Sequence, residues 1–196
     1  MTTPKRMIVA ISGASGAAIG ARIVERLAQL GGIEIHLVVS AAAERTLATE
    51  VGPDALPRLR KLATHHHAHD DIGACIASGS FQASGMIVAP CSVHTLSAIA
   101  WGHLDNLLVR AADVQLKERR RLILMVREAP LHLGHLRAMA QAAEIGAIIF
   151  PPVPAFYLKP QTVAQLVNDI AERAITLMAL EGIAVPLREW RGESNE

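Results

Sequence analysis

Met7-Ile8-Val9-Ala10-Ile11 is an unbroken apolar run that stops on a cluster of small residues, Ser12 to Gly16. A strand with one wet face alternates polar and apolar residues. A run that is apolar at every position has both faces covered, as a parallel strand does between two layers of helices. Beyond the small residues, Ile19, Ile23 and Leu27 recur at helical spacing to about Leu30. A buried strand, a tight turn and an amphipathic helix make the first half of a parallel crossover unit.

The pattern repeats down the chain. Residues 34–39 read as a second strand ending at Ser40, and residues 41–50 as a helix. Residues 52–84 are irregular, with Pro, Gly and a histidine cluster. Residues 86–89 read as a short buried strand closed by Pro90, followed by a helix from Ser92 and another over 106–119. Residues 122–126 read as a strand, 132–143 as a helix and 147–150 as the last strand. Pro151, Pro152 and Pro154 impose an extended loop. A final helix covers about 162–180, and a polar tail from about 187 is expected to be disordered. Strands alternating with helices predict an α/β fold, a doubly wound, Rossmann-like parallel sheet in a single domain over residues 1–196. Ligands of such sheets bind beyond the carboxyl ends of the strands. That rule gathers residues 13–16, Ser40, 91–95, Arg127 with Glu128, and 152–157 into one neighbourhood.

Composition narrows the class. Of 196 residues, 51% are hydrophobic and 19% charged, which excludes a disordered chain. The formal net charge of +1 argues against a nucleic-acid binder. Lys117, Arg119, Arg120 and Arg121 cluster, but Glu118 among them fits a solvated helix end. No run of about 18 apolar residues is present to span a membrane. The N-terminus has no signal-peptide pattern, and two cysteines, Cys75 and Cys91, form neither a disulfide framework nor a metal motif, so a cytoplasmic protein is expected. The apolar composition predicts a homo-oligomer.

Several residues carry chemistry. Gly13, Ala14, Ser15 and Gly16 form a turn whose small side chains let backbone approach a phosphate at a helix N-terminus. The glycines at 13, 16 and 20 do not spell a dinucleotide fingerprint, and Ser40 stands where a ribose-binding acid would be. A flavin mononucleotide suits these residues better than NAD. Ser92 and Thr95 either cap the following helix or hold a polar ligand group. Val93 and His94 share that turn. Arg110 and Lys117 lie on one helical stripe with Asp113 between them. They read either as an ion-pair ladder or as two cations for a second phosphate. Arg127 and Glu128 end a buried strand, where charge is costly unless used, so Glu128 is a candidate acid–base group. Tyr157, the single tyrosine, follows the proline loop. Arg173 borders the apolar face of the last helix and either snorkels or reaches a neighbouring subunit. His65, His66, His67 and His69, with Asp70 and Asp71, are metal-ligating types without regular spacing, and are expected to form an exposed loop.

Taken together, these segments resemble the flavin prenyltransferases of the UbiX type, long described as aromatic-acid decarboxylases. The likeness covers roughly residues 6–180. It is carried by Ile11-Ser12-Gly13-Ala14-Ser15-Gly16-Ala17, Ala77-Ser78-Gly79-Ser80-Phe81, Pro90-Cys91-Ser92 and Arg110-Ala111-Ala112-Asp113-Val114. Leu116-Lys117-Glu118-Arg119-Arg120, Val126-Arg127-Glu128-Ala129-Pro130-Leu131-His132 and Pro154-Ala155-Phe156-Tyr157 extend it.

The resemblance implies FMN contacts at Gly13, Ala14, Ser15, Ser40, Ser92, Val93, His94, Thr95 and Arg127. It implies a dimethylallyl phosphate site at Arg110, Lys117, Tyr157 and Arg173, aided by the Ser78–Gly79 turn. Glu128, Ser15 and Glu50 are the implied catalytic residues. It further implies active sites shared between subunits of a dodecamer, a product of prenylated FMN handed to a partner decarboxylase, and no need for a metal. Many relatives have Tyr where this chain has Ile19, a position read as structural. Ile72 replaces an aromatic, and Trp190 falls near an aromatic placed over the prenyl group. The alternatives are a flavin-dependent decarboxylase, whose cysteine-specific members carry an asparagine motif absent from Pro-Cys-Ser-Val-His-Thr, and a non-enzymatic flavin carrier or accessory subunit.

Overall fold

The computed structural model describes residues 5–186 and Arg188. Six parallel strands form one sheet: β1 (Lys5–Ile11), β2 (Ile33–Val39), β3 (His65–His67), β4 (Gly85–Cys91), β5 (Arg121–Val126) and β6 (Ile148–Ile149). Their order is β3-β2-β1-β4-β5-β6. The chain winds outward from β1 in one direction and then from β4 in the other, so a topological switch lies between β1 and β4.

The unbroken run in β1 is explained by the two layers. Met7, Val9 and Ile11 point to α1 (Ala17–Leu30), α2 (Ala41–Glu50), α3 (Ala55–Leu62) and α7 (Val163–Leu177). Ile8 and Ala10 point to α4 (Val93–Trp101), α5 (Leu107–Lys117) and α6 (Leu133–Glu144). All five are fully buried. Burying a side chain of Leu or Ile size contributes roughly 1.5–3 kcal/mol, so the central strands anchor both layers.

The helix starts follow side-chain capping. Ser40 accepts from the Ala43 amide, Ser92 from Thr95, Asn106 from Val109 and Thr162 from Gln165. Two expectations need correction. The β4 strand does not stop at Pro90 but runs through it to Cys91, across a shift of register between Val88 and Cys91. Proline fits there because an irregular ladder does not require its missing N–H. Residues 52–84 are also less irregular than read. They hold α3, the edge strand β3 and a short 3-10 turn, Cys75–Ala77. His65–His67 is therefore an edge strand rather than an exposed loop. Its histidines pair in register with residues 36–38.

The helix α1 lies almost on the backbone of β4. A Cβ on Gly20 would sit 2.0 Å from the Ala89 carbonyl oxygen. Both Ile19 and Gly20 are buried at this contact. Gly20→Ala should cost at least about 1–3 kcal/mol by overpacking, read from urea unfolding.

A second prediction comes from the histidines. His36 is 1% exposed. Burial pushes the imidazoles of His36, His66 and His67 below their ordinary value of 6.5. For His36 the Glu34 hydrogen bond opposes this, while His65 and His67 reinforce it. A depressed folded pKa means that the unfolded chain takes protons first. The stability tied to the neutral imidazoles is full above about pH 6.5 and is lost as pH falls through the folded values. Unfolding midpoints at pH 7.5, 6.5 and 5.5 should fall in that order, and less steeply in His36→Gln.

Candidate functional site

At the carboxyl end of the sheet, four strand ends are tied together by three backbone hydrogen bonds. The Ser40 amide donates to the Ile11 carbonyl at 3.0 Å, the Ser12 amide to Pro90 at 3.2 Å, and the Arg127 amide to Cys91 at 3.2 Å. The ends of β1, β2, β4 and β5 thus form one floor. At its centre is Ser12, 1% exposed. Its hydroxyl donates to the Pro90 carbonyl at 2.9 Å and accepts from the Ser92 amide at 2.8 Å. One buried side chain thereby fixes the first small-residue turn against the second.

Above this floor opens a cleft of ≈ 470 Å³. Gly13, Ala14, Ser15, Ser40, Ser92, Val93, His94, Thr95 and Arg127 all line it, and so does Glu128. The structure brings together every residue that the sequence assigns to flavin, with one of the three assigned to catalysis beyond Ser15 itself. Ala41, Ala42, His69 and Asn106 complete the wall. Sequence reading missed them, although the cap spacing from Asn106 to Val109 was visible. It also missed Ser12, whose only signal was a polar residue closing an apolar run. Two wider clefts lie elsewhere, but neither sits over the strand ends.

The walls are small for a packing reason. A Cβ on Gly13 would lie 2.4 Å from the Ala42 Cβ. The turn after β1 and the first turn of α2 therefore pack closely, with the Ala42 methyl filling the space that a side chain at position 13 would need. Of the two roles that its spacing left open, Ser92 fills the helix cap. Its hydroxyl accepts from the Thr95 amide at 3.2 Å, donates to Thr95 Oγ1 at 3.1 Å, and still faces the cleft. Glu128 is half-buried, with one carboxylate oxygen accepting from its neighbour Ala129 at 3.0 Å. Cys91, under the floor, is fully buried, which pushes its thiol pKa up and leaves it inert.

Glu50 changes the reading of the first turn. Its two carboxylate oxygens accept from the Gly16 amide at 3.0 Å each, and one also accepts from Ala18 at 3.5 Å. The start of α1 therefore already holds an anion. A ligand phosphate placed on these amides would meet a like charge. The helices α2 and α4 also begin at the cleft, and their first-turn amides have no partner within the helix. Arg127 stands in the same wall. The Gly13–Gly16 turn expected to hold a phosphate is thus the one whose helix start already carries a carboxylate.

The four residues expected around a second phosphate do not meet within one chain. Arg110 and Lys117 belong to α5, on one face of the sheet, and Arg173 to α7, on the other. Arg110 pairs with Asp113 at 3.0 Å and Lys117 with Glu118 at 2.6 Å. These contacts match the ion-pair reading of the stripe in part. Lys117 and Glu118 also lie against Gly79, where an added Cβ would come within 2.5 Å of Lys117 Nζ. Tyr157 is exposed on a 3-10 turn, Phe156–Leu158, and Arg173 is exposed on α7. Ile19 is buried in the core, as a structural position should be, and Ile72 is exposed. Trp190 lies outside the described residues.

Ser12→Ala should leave the buried Ser92 amide without its acceptor. The expected loss is about 1–3 kcal/mol of unfolding free energy. Ser92→Ala removes a half-exposed cap instead and should cost about 1 kcal/mol. Paired urea titrations check the order, and an equal or reversed ranking would remove Ser12 from the centre of the floor.

The chain matches the family model described as Flavoprotein over residues 1–176. It is 51% identical over 188 residues to the flavin prenyltransferase UbiX of Escherichia coli K12, covering 96% of this chain and 99% of that one. Among solved structures, AnUbiX (PadA1) in complex with FMN and dimethylallyl pyrophosphate superposes with a TM-score of 0.90. It is 43% identical, with 97% of this chain and 99% of that chain covered. A dodecameric FMN-dependent UbiX-like decarboxylase from Escherichia coli O157:H7 also gives 0.90, at 40% identity, with 95% and 100% covered. With half of its residues identical over nearly its whole length, and with the flavin residues gathered in one cleft, the chain belongs to the flavin prenyltransferase family of flavoproteins.

Proposed function

We propose that the chain binds reduced FMN in the strand-end cleft and transfers to its N5 and C6 a dimethylallyl group from a dimethylallyl phosphate. The observation that carries this reading is the convergence of all nine assigned flavin residues on one cleft. The residues present fit the group. Gly13 packs on the Ala42 methyl in one wall of small residues, and Arg127 with the starts of α2 and α4 offers an anion site. Bound FMN supplies the nucleophilic positions that take up the allyl group.

The protein's part is to manage charge. Arg110, Lys117, Arg173 and the Tyr157 hydroxyl take the charge of the departing phosphate as the allylic C–O bond breaks. Each of the first two must leave its carboxylate partner. These pairs are exposed to solvent and weakly held, so a phosphate displaces them readily. Glu128 moves the proton at the prenyl double bond, Ser15 relays it, and Glu50 holds the Ser15 turn through the Gly16 amide. Since α5 and α7 lie on opposite faces, the donor site needs a second copy of the chain, and we infer a homo-oligomer of the dodecameric kind seen in the relative. The product goes to a prenylated-FMN-dependent decarboxylase in the cytoplasm, where Cys75 and Cys91 stay as thiols.

Anaerobic incubation with reduced FMN and dimethylallyl mono- or diphosphate tests the reading. The expected result is a flavin heavier by one C5H8 unit. An unchanged flavin, together with carbon dioxide release from an aromatic acid, would support the decarboxylase reading suggested by some relatives' names. Arg173→Ala should lower prenylation roughly ten- to a hundredfold, from the loss of about 1.5–3 kcal/mol in charge-assisted bonding, while FMN stays bound. Arg127→Ala should do the reverse and weaken FMN. If Arg173→Ala loses flavin instead, the division of the two phosphates is wrong.

A further inference from the structure

On the edge of the sheet away from the flavin cleft, strand alternation gathers a set of ligand-bearing side chains that the flavin reaction does not use. Glu34 and His36 lie two apart on β2 and so share a face. His65 is the register partner of His36 on β3, and His67 follows on the same face. Glu34 Oε1 is 3.1 Å from His36 Nε2 and 3.4 Å from His65 Nε2. The three ligand atoms all lie within 4.8 Å of one another. Around a tetrahedral zinc with bonds of about 2.0–2.1 Å, neighbouring donor atoms stand roughly 3.3 Å apart. We propose that Glu34, His36 and His65 form a binding site for a divalent transition-metal ion of the zinc type, which clamps the edge strand β3 to β2.

The supporting groups are those a metal site requires. The other oxygen of Glu34 accepts from Arg6 Nε at 3.1 Å, so the carboxylate is aimed. The other ring nitrogen of His36, Nδ1, is 2.9 Å from His67 Nε2. With the ion on Nε2, His36 is the Nδ1–H tautomer and donates to His67, which orients the ring and strengthens it as a ligand. The Phe81 ring stands edge-on to His36 at 4.9 Å, and Arg6 lies over Phe81. The fully buried imidazole is thus held on three sides. The His65 side chain is 52% exposed, which gives the ion an entry path and room for a water as fourth ligand. Two imidazoles and a carboxylate select zinc-like ions over magnesium or calcium, which prefer oxygen alone. The role is structural: β3 is three residues long, and two residues beyond it His69 forms part of the cleft wall.

The test uses the full chain after dialysis against EDTA, with zinc chloride as titrant in a calorimeter and cobalt(II) absorption as a second readout. One equivalent of zinc should bind at micromolar concentration or tighter and raise the melting temperature. His65→Ala should weaken binding at least tenfold while FMN affinity is kept, and His65→Gln replaces it if the alanine variant does not fold. His66→Ala, whose side chain belongs to the opposite face of the strand, should bind within twofold of the parent. Absence of saturable zinc binding in the parent would overturn the site and leave the cluster a hydrogen-bonded relay. Binding that survives His65 replacement, or that is lost equally in His66→Ala, would overturn it too.

Discussion

The buried hydroxyl of Ser12 governs the architecture of the site. A hydroxyl with no water around it must satisfy its own bonds inside the protein. Ser12 does so by giving to Pro90 and receiving from the Ser92 amide. Those two bonds join the strand ends on either side of the topological switch. The amide that it satisfies belongs to the residue that caps α4. The position of that helix start relative to the Gly13–Ser15 turn is therefore set from beneath, before any ligand arrives. A ligand that lies across both turns meets walls whose spacing is already fixed, which lowers the ordering cost of binding.

The legibility of this chain in its sequence followed the range of the interactions. The doubly wound sheet was readable because each buried strand is written locally, as in Met7 to Ile11, and each crossover helix by its own period. The neighbourhood of the cleft was readable because strand ends mark a site before any contact is known, whereas its assignment to flavin came from the family resemblance. The α3 helix was not. It has eight residues, Pro57 in its first turn, and only Ala55 and Leu59 buried, too few to show a period. The β3 strand is three histidines, which carry no apolar signal, and pairing with β2 alone makes them a strand. Glu50 read as a helix end, yet its carboxylate caps α1 more than thirty residues earlier in the chain. Nothing local could announce that bond.

That bond divides the labour of the helix dipoles. Four helices, α1, α2, α4 and α5, begin at the cleft, and an anion is favoured at each start. At α1 the protein supplies its own, so that site is neutralised and the turn can present uncharged backbone to a ring. At α2 and α4 the capping residue is no carboxylate, although α2 carries Glu44 in its first turn. Ser40 and Ser92 cap there instead, each with a neutral hydroxyl that satisfies one amide and adds no charge. The starts thus differ in the charge of their caps, a carboxylate at α1 and neutral hydroxyls at α2 and α4.

The same economy explains why one chain falls short of the proposed reaction. The floor is rigid, buried and complete within a chain. The rim is not. Leu131, Leu133 and Leu136 after β5, with Val153, Phe156 and Tyr157 after β6, are exposed apolar side chains on the loops and helix that follow the site strands. Six exposed apolar side chains on these two segments are costly in water and fit a surface that another protein covers. The cations proposed for the donor are split between the α5 and α7 faces, so in the proposed oligomer a second chain that covers the rim also brings the missing cation. In that assembly, burial of the rim would exclude water from the place where the allylic C–O bond breaks and strengthen each cation's hold on the leaving phosphate. On this proposal assembly and catalysis draw on the same surface: the apolar side chains supply the association energy, and the cations act only once that surface is closed.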